Sequence, residues 1–237
     1  MSRPALIRDP RLVPVVARDD HLAPVESTRL TPTALRRRFA EAPAWHPELP
    51  GDGGRLADRT PTAASVLVPL VARPEGVTVL LTRRTDHLHD HAGQISFPGG
   101  RAEPEELDDP VVTALREAEE EVGLRRHHVE VIGRLPLYST VTAYQVTPVV
   151  ALVEPGFALE LDAFEVAEAF EVPLQFLMTP AHHHRHAVHL PGGPNRQFLS
   201  MPWPPQDQPA QHLSAGQYFI WGATAAMLRN LYGFLSA

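Results

Sequence analysis

The amino-acid sequence predicts an α/β chain with a mixed β-sheet sandwiched by helices. Three observations carry this expectation. Apolar, β-branched runs of strand length begin at Ala63, a strongly helical segment at 110–122 interrupts them, and an apolar helical pattern closes the chain after residue 221. The 237 residues, 43% of them hydrophobic, suffice for a sizeable core and are read as one domain. Within it, residues 1–60 form an N-terminal extension and 61–237 the core, with a C-terminal helix at about 221–235.

The extension is rich in Pro, Arg and Asp and shows little periodic pattern. Thr31 offers an N-cap and Pro32 a first-turn proline for one short amphipathic helix, "TALRRRFAEA". Arg36–Arg38 read as its solvated face. "APAWHPELPGDGG" reads as an extended linker or covering loop. "ASVLVPLVAR" and "GVTVLLTRR", separated by Pro74-Glu75-Gly76, then predict a hairpin. Asp109-Pro110 opens helix 110–122 and Gly123 supplies its left-handed stop. "VEVIGRLPLY" and "QVTPVVALV" follow as strands, and "ELDAFEVAEAFEVPLQFL" reads as loop mixed with short helix. "RHAVHL" and "RQFLSM" predict a second hairpin around Pro191-Gly192-Gly193. Finally, "YFIWGATAAMLRNLYGFL" predicts a strand entering a helix that buries Trp221, Met227, Leu228, Leu231 and Leu235.

Composition excludes several function classes. The absence of cysteine removes disulfides, thiolate nucleophiles and thiolate zinc sites, so any metal must bind oxygen or imidazole. No apolar run approaches the ~20 residues that span a bilayer. Residues 1–20 carry charges and prolines where a signal peptide needs an apolar stretch, so the expected address is cytoplasmic. A formal charge of −7 opposes general nucleic-acid binding. It leaves room for an anionic small molecule, because a carboxylate-held cation reverses the field locally.

The helix at 110–122 places Glu117, Glu119, Glu120 and Glu121 within one and a half turns, an arrangement that repels itself. Residues three and four apart share a helical face, so Glu117, Glu120 and Glu121 converge while Glu119 points away. Three carboxylates on one face suit Mg²⁺ or Mn²⁺, whose charge would relieve the repulsion. Arg116 lies one turn before Glu120 and can orient a carboxylate. Directly upstream, Pro98-Gly99-Gly100 predicts a tight loop whose main-chain N–H groups can approach phosphate. "AHHHRHAVHL" gathers His182, His183, His184, His186 and His189. Without a convergent geometry it reads as a solvated loop entering a strand rather than a metal site.

These residues resemble the nudix hydrolase family. In "REAEEEVGL", Arg116, Glu117, Glu120, Glu121, Gly123 and Leu124 match the second half of its box, with Ala118 at a position that is usually a bulky aliphatic. The stretch from Gly100 to Arg116 is two residues longer than the box, so its isolated acid falls on either Glu106 or Asp108. "LLTRRTDHLHDHAGQISFPGG" resembles the additional motif of the coenzyme A pyrophosphatase branch through Arg84, Thr85, Leu88, His91, Gly93, Gln94 and Phe97, with His89 where arginine is common. "IWGATA" is similar to that branch as well.

The resemblance implies a nudix-type α/β/α sandwich and metal-assisted water attack on a diphosphate, splitting coenzyme A into 3′,5′-ADP and 4′-phosphopantetheine. It implies Glu117, Glu120 and Glu121 as ligands of Mg²⁺ or Mn²⁺, with Glu120 and Arg116 also in the catalytic set. "FEVAEAFEVPL" resembles the family's downstream acidic turn and offers Glu165, or else Glu168, as the general base. Gly99, Gly100 and Gln94 belong to the implied substrate site, and Arg84, Arg101 and Arg83 are the cationic candidates for the 3′-phosphate. The implied partner is a small molecule, with no nucleic acid and no membrane. Two other readings stand beside it: a pyrophosphatase for ADP-ribose, NADH or a related nucleotide, and a non-catalytic nucleotide sensor, which would normally lack the carboxylates that this sequence retains.

Overall fold

The computed structural model describes residues 7, 9–53, 60–88, 92–188, 196–204 and 217–237. Strand β1 (Val15–Arg18) precedes helix α1 (Pro32–Glu41), whose N-cap Thr31 accepts from the Ala34 amide as expected. The hairpin follows as β2 (Thr62–Arg73) and β3 (Gly76–Arg84), with Arg73 opposite Gly76 around Pro74-Glu75. Short strands β4 (Ile95–Ser96) and β5 (Gly99–Arg101) lead to helix α2 (Pro110–Val122). After it come β6 (Val129–Arg134), β7 (Tyr138–Ser139), β8 (Tyr144–Val153), β9 (Val166–Pro173), α3 (Leu174–Leu177), β10 (His184–Val188), β11 (Arg196–Trp203), β12 (Tyr218–Trp221) and helix α4 (Gly222–Ser236). Among the described residues no helix is long and apolar enough to cross a membrane.

Eight strands form a mixed sheet with the main path β4-β3-β2-β8-β6; β5 adds to β2, β7 to β8 and β9 to β3. Within it β2 and β8 run parallel, Thr62 opposite Tyr144 through Val71 opposite Val153. Both central strands are covered on two faces, which is why they read as almost continuous apolar runs. On one face Leu67, Val71, Leu80, Val149 and Ala151 pack against Ala114, Ala118 and Val122 of α2. On the other, Val68, Leu70, Val79, Leu81 and Val150 pack against Leu35 of α1, Leu174 and Leu177 of α3, and Met227, Leu228 and Leu231 of α4. This is the expected α/β/α sandwich. The small residues Ala114 and Ala118 let α2 lie close to the sheet and bring its glutamates onto β5.

A second, four-stranded sheet, β1-β10-β11-β12, delivers the chain into α4. The hydroxyl of Thr224 donates to the Ile95 carbonyl (3.0 Å) and ties this end of α4 to β4. The predicted hairpin is β10 and β11, with Val188 opposite Arg196; its Pro191-Gly192-Gly193 turn and His189 lie outside the described residues.

Several expectations need correction. Acidic residues hide the strand character of "VAEAFEVP", which is β9 and not loop or helix: Val166 and Val172 at its two ends are buried, whereas Glu168 and Glu171 between them are only half-buried. Strand β1 escaped notice because four exposed residues at a sheet edge carry no burial pattern. Trp221 is only half-buried, edge-on to Phe198 at 5.5 Å, whereas Met227, Leu228, Leu231 and Leu235 are buried. Of the three arginines on α1, Arg36 forms a bidentate pair with Glu130, and Arg38 donates to the Phe234 carbonyl and lies over that ring. The segment 42–53 is a covering loop, held by Leu49 and Asn230 bonding both ways.

Among the described histidines of the 182–189 cluster, none is an exposed loop residue. His183 and His186 are fully buried, and burial holds His183 in its neutral form, with its pKa lowered to about 4. Nδ1 of His183 accepts from Arg229 (3.1 Å), which leaves Nε2–H to donate to the Leu177 carbonyl (2.8 Å). His186 bridges the Val13 carbonyl and the Ser200 hydroxyl and stacks on Phe198, while His182 stacks on Phe176. Arg229 and Val13 are distant in sequence, so spacing could not reveal these contacts. Around His183, Arg229 and Arg185 are neutralised by Asp19 and Glu48, with Arg229 and Asp19 almost fully buried.

Candidate active site

Helix α2 forms where predicted. Asp109 caps it by accepting from the Val111 amide, Pro110 occupies the first turn, and Gly123 ends it at φ 70°. Its core stripe, Ala114, Ala118 and Val122, fixes its rotation, which turns Glu117 and Glu121 towards β5 and leaves Glu119 and Glu120 in solvent. The Gly99 amide donates to Glu121 Oε2 (3.1 Å). Gly100 makes room for the Glu117 carboxylate, since a Cβ there would stand 2.5 Å from its oxygens. Thus Pro98-Gly99-Gly100 is not the free loop expected: Gly99 and Gly100 belong to strand β5, paired with β2, and they cradle carboxylates.

Arg116 links the site to its support. Its Nε and Nη2 reach Glu106 at 2.8 and 3.0 Å, its Nη1 reaches Glu120 (2.8 Å) and Glu117 (3.0 Å), and its Nη2 also donates to the Arg101 carbonyl (3.1 Å). Glu106 is buried and accepts further bonds from Thr113 and the Glu103 amide. The Arg116 guanidinium holds its pKa down to about 2. Of the two positions left open by spacing, Glu106 is the buried one that meets Arg116, whereas Asp108 is exposed. The two extra residues lie between Glu106 and Arg116, in the entry to α2.

From the other side comes the end of β3. Arg84 extends towards Glu121 (Nη1 to Oε1, 3.7 Å) and Glu165 (Nη2 to Oε2, 3.8 Å), and among the described residues its buried Nε has no hydrogen-bond partner. Glu165 is brought there by backbone bonds: the Thr85 amide donates to its carbonyl, and its own amide donates to Asp162. Glu168 faces a different setting, where Tyr218 donates a short hydrogen bond to it and Arg83 lies 3.5 Å away. Arg101 reaches the Tyr144 hydroxyl (3.1 Å) on the exposed side of β5. The Gln94 carbonyl accepts from the Arg84 amide, so Gln94 sits beside the site, while His89 and His91 lie outside the described residues. Sequence spacing gave no sign that Thr85 and Asp162 aim Glu165.

The electrostatics favour an added positive charge. Burial raises Glu117 above the ordinary carboxylate range and pushes Glu121 up to about 8, with the neighbouring carboxylates adding to the effect. Glu121 has one backbone donor and only a long approach to Arg84, so its charge is poorly compensated. Among the described residues no three His, Asp or Glu side chains are arranged to hold a metal ion as they stand. The donor chemistry nevertheless fits a divalent cation, and Glu120 is the group free to turn. Its side chain is 59% exposed, and leaving a solvated pair with Arg116 costs at most about 1 kcal/mol.

A model of the NUDIX domain matches residues 59–191. A protein of Yersinia pestis (strain Pestoides F), described as the uncharacterized Nudix hydrolase NudL, is 41% identical over 168 residues, covering 71% of this chain and 77% of that one. The protein of the same description from Yersinia pseudotuberculosis serotype O:1b (strain IP 31758) matches to the same extent. Among solved structures, a C. elegans Ap4A hydrolase aligns with a TM-score of 0.42 at 18% identity, over 50% of this chain and 85% of that one.

Proposed function

Because this chain belongs to the nudix domain family, we propose that it is the coenzyme A diphosphatase implied by its upstream motif, hydrolysing the diphosphate bond to 3′,5′-ADP and 4′-phosphopantetheine. The coarser statement stands without the substrate: it is a nudix hydrolase acting on a nucleoside diphosphate derivative. The observation that carries the proposal is the meeting of Arg84, from the "LLTRRTDHLHDHAGQISFPGG" motif, with Glu121 and Glu165.

Glu117, Glu120 and Glu121 would hold Mg²⁺ or Mn²⁺, which when bound acidifies water and offsets the charge of the diphosphate. The protein's own groups do the rest. Arg84 binds the diphosphate oxygens, since its guanidinium projects among the carboxylates with Nη1 and Nη2 beyond hydrogen-bond distance of Glu121 and Glu165. That location replaces a contact with the remote 3′-phosphate, for which Arg83 and Arg101 remain the candidates. Glu165 accepts the proton of the attacking water. Glu168 is less suited, because Tyr218 and Arg83 already engage it. Arg116, anchored by Glu106, keeps Glu117 and Glu120 in register.

The test is metal-dependent hydrolysis of coenzyme A, dephospho-coenzyme A, ADP-ribose and NADH, with products identified by mass spectrometry. Release of 3′,5′-ADP with the highest kcat/KM for coenzyme A is expected. A higher kcat/KM for ADP-ribose or NADH removes the coenzyme A assignment and keeps the nudix chemistry, whereas no turnover of any diphosphate supports the sensor.

A further inference from the structure

Phe164 is 65% exposed, although burying such a ring is one of the larger gains available to a folding chain. Its position is built rather than loose. The Phe164 amide donates to the Asp162 carboxylate (2.9 Å), and its carbonyl accepts from the buried Thr85 hydroxyl (2.8 Å). The next two amides, of Glu165 and Val166, both donate to the Asp162 carbonyl. One turn therefore points Glu165 into the carboxylate site and holds Phe164 out beside it. From the β3–β4 connection, the exposed His87 ring meets Phe164 at 4.9 Å between centroids, tilted by 58°. The two rings come from segments that flank Arg84 and Glu165, the residues nearest the reacting bond in the reading above.

We infer that Phe164, backed by His87, is a specificity-determining platform on which the nucleobase of the substrate stacks. The inference rests on the nucleoside diphosphate reading of the site and deepens it. An aromatic face recognises a planar base and not a ribose, a phosphate or an aliphatic arm. The placement suits that role: a base stacked here leaves its diphosphate free to extend past Arg84 to the carboxylates. Recognition of this kind adds binding that is the same in ground and transition states, so it acts on KM more than on kcat.

The experiment compares two ligands that differ only in the base, AMP and ribose 5-phosphate, by calorimetry on the full chain. The parent should bind AMP more tightly. Phe164→Ala should reduce that preference about tenfold, the scale of one lost base–aromatic stack. Phe164→Trp should restore it, and an unchanged Tm is expected because the ring is exposed. A parent with no preference for AMP, or a Phe164→Ala variant that keeps it, overturns the platform. Because this readout needs no turnover, it separates the two ideas. A lost AMP preference in a protein that hydrolyses no diphosphate would uphold the platform and remove the hydrolase assignment. An active enzyme with an unchanged preference would do the reverse.

Discussion

Replacing Glu106 by glutamine keeps the shape of the side chain and removes its charge. Oε1 of Glu106 accepts from Arg116 Nε alone, whereas Oε2 accepts from Arg116 Nη2, Thr113 Oγ1 and the Glu103 amide. The least costly glutamine therefore puts its nitrogen where Oε1 stands and sacrifices one charge-assisted bond. Such a bond contributes about 1.5–3 kcal/mol, so Glu106→Gln should destabilise by about 2 kcal/mol. In a domain of this size that lowers Tm by about 4–8 °C. Asp108→Asn, at an exposed position, should stay within about 0.5 kcal/mol of the parent. The pH dependence follows from the depressed pKa. Glu106 titrates at about 2 when folded against 4.5 ordinarily, so its contribution is whole above about pH 4.5 and is lost as pH falls towards 2. Thermal unfolding should thus show a gap between parent and variant that is constant from neutrality to about pH 5 and narrows as the pH falls from there towards 2. Turnover should fall about 10–100-fold, as for other groups that orient metal ligands. Equal Tm values for Glu106→Gln and the parent, or a larger loss in Asp108→Asn, would show that Arg116 is anchored elsewhere.

Glu120→Gln and Glu121→Gln should each abolish most metal-dependent turnover with the fold retained by circular dichroism, and near-normal rates in both would remove the metal-site assignment. Gly100→Ala should lower kcat with little change in Tm, because its Cβ would displace the Glu117 carboxylate; a lower Tm with an unchanged kcat would make the glycine a backbone requirement only. Glu165→Gln should reduce kcat at least tenfold more than Glu168→Gln, in keeping with general-base contributions of about 10²–10⁴. The opposite order in steady-state kinetics would exchange their roles.

The elements legible in the sequence are those whose signal is local. Helix α2 carried its period, its proline start and its glycine stop in one stretch, and β2 and β8 were apolar on both faces. Strand β9 was hidden because three glutamates occupy "VAEAFEVP" and its neighbours, and β1 because it buries nothing. In the site, helical spacing grouped Glu117, Glu120 and Glu121, but the structure turns only Glu117 and Glu121 towards β5 and leaves Glu120 in solvent, because the rotation of α2 is fixed by its alanine stripe. Identifying Glu106 as the anchor required geometry, since an insertion makes counting ambiguous. The buried His183 and Arg229 were beyond reach for the same reason: their compensation comes from Asp19 and Glu48, whose proximity only the tertiary fold creates.

That compensation has a consequence for biosynthesis. Strand β1 needs β10, the 42–53 loop needs Asn230, and Asp19 with Glu48 needs Arg185 and Arg229. Residues 15–19, Glu48 and Leu49 are thus made well before these partners, which lie between 184 and 230. A nascent chain must therefore carry Asp19, Glu48 and Leu49 without these contacts until α4 has left the ribosome, and long-range closure of this kind is slow. Translation arrest before residue 229 should leave the chain around Glu48 and Leu49 open to protease, and completion of α4 should protect it.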